Sequence, residues 1–147
     1  MTHIRTQIRA AFAALFAADI PGTFVRVEAD RVHAIDTERM VPCLDISFSG
    51  ERIDSRTMGG GGALRVMEFA FGLTATGAGL QDRLDALAVK VEQRVGNNRT
   101  LGGLVMYAHV TATAQELSGD GKQRIGRMTV TVQCAVETAE NDPENRA

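Results

Sequence analysis

The chain has no tryptophan, one tyrosine, three prolines and two cysteines among 147 residues. Two cysteines cannot staple a disulfide scaffold, so a hydrophobic core must hold the fold together. Cys43 and Cys134 each lie in a strand-like run. A single bridge between them is open, and we read them as two buried thiols of a cytosolic protein. No apolar run reaches the roughly 18 residues of a membrane helix, so no membrane span is expected. There is no long basic run and the net charge is -2. Non-specific nucleic-acid binding needs many phosphate contacts, so this balance argues against it and leaves only a local basic patch open.

Motifs of catalysis are missing too. His3, His33 and His109 are scattered, with no HExxH and no paired cysteines nearby, so no metal or other cofactor is expected. No GxSxG elbow occurs. The glycines at 59–62 are followed by neither Lys nor a helical pattern, so they fail as a phosphate loop. Cys43 and Asp45 share a strand face, but a nucleophile needs an adjacent base and no histidine is near in sequence. His109 beside Tyr107 reads as a surface or interface pair.

What is present is an ordinary globular composition, 44% hydrophobic and 23% charged, sized for one domain. Leu80, Leu84, Leu87, Val91 and Val95 form one apolar helical stripe. Asp82 and Asp85 lie towards its start and Lys90 and Arg94 towards its end, as the helix dipole favours. Gly96 with Asn97 and Asn98 is the expected stop. Ile4, Ile8, Phe12, Leu15 and Phe16 make a second stripe, with Thr2 as its expected cap and Arg5 and Arg9 facing solvent. Arginines ahead of the alanines at 10–18 superficially resemble a signal peptide, but the stripe favours an amphipathic helix. Asp19, Ile20, Pro21 and Gly22 end it.

Strand patterns fill the rest. A short strand is expected at 24–27 and a loop at 28–40, with a possible strand around 31–34. Leu44, Ile46 and Phe48 alternate with Cys43, Asp45 and Ser47 after Pro42. Residues 64–74 put Met67, Phe69, Phe71 and Leu73 on one face. A helical turn is open at 100–105. Strands at 107–116 and 127–136 read as an antiparallel hairpin, with Ala108, Ala112 and Ala114 on the apolar face and Thr111, Thr113, Thr129 and Thr131 on a Thr-rich one. Residues 49–63 read as a mobile loop, and 138–147 as a flexible polar tail after a single domain at 1–137. The expected fold is α+β: a two-layer sandwich, mostly antiparallel sheet of four or five strands with two helices on one face. Candidate partner or subunit contacts are Arg52, Arg56, Gly59 and Gly60 in the loop, and the four threonines on the sheet.

This order of elements resembles the tail terminator proteins of long-tailed phages, the lambda minor tail protein U type. It rests on the helix "IRAAFAALFA" at 8–17, "VPCLDISFSGERID" at 41–54, "LRVMEFAFGL" at 64–73, "LQDRLDALAVKVEQRV" at 80–95 and the two closing strands. It covers about residues 4–137; the glycine run at 59–62 and the polar end are local departures. The resemblance implies a structural virion protein without enzymatic activity. Such proteins form a hexameric ring on the tail tube, stop its polymerisation and present a surface to the head connector or stopper, while DNA passes through the lumen. Gene transfer agents use similar parts. Assembly in the host cytoplasm and a place at the head-proximal end of the tail are implied too. The alternatives are another tail or head-completion ring component, such as a tube or connector protein, or a small ligand-binding or enzymatic α+β domain. That last reading implies a monomer or dimer, with His109, Tyr107 or Cys43 converging on an enclosed cavity.

Overall fold

The computed structural model describes residues 2–17, 24, 26–28, 42–54, 62–118, 124–139 and 142–146. Two helices, α1 (Ile4–Ala17) and α2 (Leu80–Asn97), pack against one face of a sheet. The strands are β1 (Arg26–Glu28), β2 (Cys43–Asp54), β3 (Gly62–Thr76), β4 (Tyr107–Ser118), β5 (Ile125–Ala139) and β6 (Asp142–Arg146). Their order across the sheet is β1-β2-β3-β5-β4, with β6 also on β5. Among the described strands, β1 with β2 is the one parallel pair. The expected α+β sandwich is therefore the fold. α2 carries the chain over the sheet, so β4 lands one position away from β3 and β5 fills the gap. The expected strand at 31–34 lies outside the described residues.

Both helical stripes are buried, except that Leu15 of α1 is only partly so. Ile4, Ile8, Phe12 and Phe16 of α1 are fully inaccessible, and Leu84 and Val91 anchor α2. Phe12 meets Phe69 and Phe71 edge-on, with centroids 5.6 and 5.0 Å apart. Phe16 touches Phe71 and Phe24 in the same manner, which favours the ring quadrupoles. Burying each such ring stabilises the fold by roughly 2–3 kcal/mol. α2 packs tightly over Gly126, where a Cβ would come within 2.7 Å of Leu84 and 2.9 Å of Leu80. Of the three alanines expected to admit a helix, only Ala108 is buried.

Local details differ from the expectation for physical reasons. The cap of α1 is His3, not Thr2: its Nδ1 accepts the Arg5 N–H at 3.1 Å. α2 runs through Gly96 to Asn97, and Asn98 closes it by donating to the Arg94 carbonyl at 2.9 Å. Residues 101–104 form turns, with Leu101, Gly102 and Gly103 at positive φ. Arg94 also donates to the Leu15 carbonyl at 2.8 Å and lies over the Phe16 ring, so it ties α2 to the end of α1. Arg5 lies 4.8 Å above Phe48 instead of pointing into solvent. β5 runs on to Ala139 with Thr138 fully buried, and Gln7 reaches the Glu144 carbonyl of β6 at 2.7 Å.

Candidate interaction surface

Both described helices lie on one face of the sheet, and two β-bulges decide which side chains appear on the other, the open face. In β2 the register slips between Phe48 and Gly50. Because strand side chains alternate, one extra residue exchanges the faces. Leu44, Ile46 and Phe48 face the helices before the slip; Glu51 and Ile53 do so after it. Arg52 therefore lies on the open face, exposed, opposite Val66. Residues 49–54 and 62–63 belong to β2 and β3, not to the loop expected at 49–63. Arg56, Gly59 and Gly60 fall outside the described residues.

The second bulge corrects the Thr-rich face. β4 slips at Thr111, between Val110 and Ala112. Thr113 then pairs with Val130 on the helix side, while Ala112 and Ala114 pair with Thr131 and Thr129 on the open side. The open face thus carries Thr129 and Thr131 beside two alanines, not four threonines. Thr111 sits in the bulge, and its hydroxyl approaches the Thr131 carbonyl at 3.4 Å. All of residues 111–118 are exposed. Simple alternation over 106–115 conceals this; nothing in the residue types marks Thr111 as the extra one.

A bidentate ion pair crosses the open face. Arg127 Nη1 and Nη2 donate to the Asp45 carboxylate at 2.8 and 3.0 Å, and Nη1 also reaches the Thr74 hydroxyl at 3.3 Å. Gly72 makes room: a Cβ there would collide with the Arg127 guanidinium and come within 2.7 Å of Asp45 Oδ1. The hydrogen bond to Asp45 raises the Arg127 pKa above its ordinary value. On the helix side, buried Arg65 donates to Glu51 Oε1 at 3.2 Å and to the Thr138 hydroxyl at 2.9 Å. Arg5 shares the same Glu51 oxygen at 3.6 Å. Sequence reading missed Arg65, whose charge is unexpected at an inward position.

Of the residues considered for chemistry, Tyr107 and His109 come together and Cys43 lies apart from them. Tyr107 and His109 stack with centroids 5.2 Å apart at the start of β4. Through the register, Cys43 aligns with Thr74, Arg127 and Glu116, at the far end of β4. That distance along the strand is roughly 30 Å at about 3.3 Å per residue. Burial pushes the Cys43 thiol up, and the Cys134 thiol up to about 12. Both cysteines are free and buried, on opposite faces of the sheet. Among the described residues, no cluster of His, Cys, Asp and Glu could hold a metal ion. No helix among them is long and apolar enough to cross a membrane.

The fold and surface together define a small α+β domain with both described helices on one face of its sheet. Its fold is similar to that of a chain in the solved structure of the virion of a native gene transfer agent particle. That match has a TM-score of 0.50 and 19% sequence identity, and covers 92% of each chain. No family model matches the sequence, and no curated protein does.

Proposed function

We propose that this chain is a structural component of a virion or virion-like particle, and that it acts there as a tail terminator. In this reading it forms a ring, a hexamer, on the end of the tail tube. The ring stops tube polymerisation and offers its other side to the head connector or stopper, with DNA passing through the lumen. The chain has no enzymatic role and works at the head-proximal end of the tail. The observation that carries the reading is the fold likeness to the gene transfer agent virion chain over 92% of both chains. The resemblance in element order over residues 4–137 supports the narrower terminator role. The wide separation of Cys43 from Tyr107 and His109 supports a structural protein over an enzyme.

The test is light scattering across a concentration series, with negative-stain images of the largest species, followed by addition to growing tail tubes. Ring particles with a mass near six subunits and arrest of tube growth are expected. Rings that leave tube growth untouched would overturn the terminator role in favour of another ring component. A strict monomer that neither binds tube ends nor stops their growth would overturn the ring as well.

A further inference from the structure

The two margins of the sheet differ from the edges of most monomeric proteins. Natural edges are blunted by short strands, by β-bulges, by Lys or Pro, or by a covering element. Here each margin carries one bulge, at Ser49 and at Thr111, and is otherwise a long strand stretch. β4 is 12 residues long and contains neither Lys nor Pro. Its bulge comes early, at Thr111, and residues 111–118 beyond it are exposed at every position, Leu117 at 54%. A row of outward backbone groups on this strand is therefore offered to a neighbour. At the opposite margin β1 pairs with residues 43–45 of β2. Beyond that pairing, Arg52 is exposed and Ile53 is 52% exposed.

We propose that these margins join head to tail: β4 of one copy adds to the 46–54 stretch of β2 in a second copy. Three antiparallel steps separate β2 from β4, so the two run in opposite directions. Copies that face the same way consequently meet antiparallel, the arrangement with hydrogen bonds perpendicular to the strands. A sheet continued this way keeps all helices on one side and all open faces on the other. The second copy is favoured as occupant because the two margins complement each other. The exposed charge on β4 is Glu116 and the exposed charge on that stretch of β2 is Arg52, and each margin adds one exposed aliphatic side chain. Two different patches make a heterologous contact, which closes into a ring or runs on as a filament. The proposal rests on the reading of the chain as a ring component and names the contact that builds the ring.

The experiment is hydrogen exchange on the full chain, dilute and after concentration into its assembled form, alongside Ala114→Lys. Ala114 is exposed, so this variant is expected to melt like the parent. Slowed exchange in both 111–118 and 46–54 on assembly is expected. In the variant the concentration needed for assembly is expected to rise roughly tenfold or more, since an edge lysine opposes strand addition. Ring particles whose 111–118 amides exchange as fast as in the dilute protein would overturn the strand addition and leave the ring standing. Protection in 111–118 without protection in 46–54 would overturn the head-to-tail form. A protein that stays monomeric at every concentration would overturn both strand addition and self-assembly of the ring.

Discussion

Two arginine–carboxylate pairs lie on opposite faces of one sheet, and they are built differently. The open-face pair, Arg127 with Asp45, is bidentate and short, while the Arg127 side chain keeps 34% of its surface in contact with solvent. The helix-side pair, Arg65 with Glu51, uses a single carboxylate oxygen, and the Arg65 side chain is only 7% exposed. Glu51 Oε2 is buried without a hydrogen-bond partner. The carboxylates are similarly buried, with side chains 9% exposed at Asp45 and 12% at Glu51. The better geometry belongs to the arginine that water still reaches, the poorer to the one it does not. The comparison teaches that burial, more than the quality of the contact, sets what is lost when one partner is removed. A guanidinium sealed from water has no other anion to turn to.

The largest effect should come from the covered side. Phe12→Ala removes a ring that touches both Phe69 and Phe71, and a loss of about 3–5 kcal/mol is expected in denaturant unfolding. Glu51→Ala strands buried Arg65 and is expected to cost about 3 kcal/mol. The double variant Glu51→Leu with Arg65→Met should recover most of that loss, because it removes the desolvated charge as well as its partner. If the double variant is as unstable as the single one, Arg65 contributes through packing and not through charge.

On the open side, Asp45→Ala should cost less, about 1–2 kcal/mol, since Arg127 can turn to water. Gly72→Ala pushes the same pair apart, so its cost should largely vanish in an Arg127→Ala background. A cycle in which the two losses simply add would break the link drawn between Gly72 and the ion pair. Ala112→Ser, on the exposed part of β4, should stay within about 0.5 kcal/mol of the parent.

A subtle pH dependence tests the cap of α1. His3 must be unprotonated for Nδ1 to accept the Arg5 N–H. Burial, then the Arg5 charge, lowers its pKa below the ordinary 6.5. The folded value lies below the unfolded one, so the unfolded chain binds more protons between the two. This contribution to stability is complete above pH 6.5 and is lost as the pH falls from there through the lower folded value. Urea midpoints measured across that range should fall with acid, and His3→Asn should flatten the slope while keeping a capping side chain. An unchanged slope in that variant would assign the acid sensitivity elsewhere.

Helices, strands and their inward faces were legible because each rests on a local period. The stripe from Leu80 to Val95 and the alternation through Phe69 and Phe71 needed only spacing, and these choose the fold class. The surface was much less legible. Whether Thr113 faces its fellow threonines depends on one extra residue at Thr111, and that residue is set by pairing with β5, not by its neighbours in sequence. The same holds for Arg52, which the slip before Gly50 turns outward, and for Arg65, whose inward charge is acceptable only because Glu51 and Thr138 arrive from distant strands. Residue periodicity by itself determined which elements form and which sides they bury, since hydrophobic burial acts on each segment's own pattern. Only the tertiary structure decided the register, the bulges, the partners of the two arginines and the side chains exposed along the two margins. Those depend on hydrogen bonds and charges supplied by strands remote in the chain.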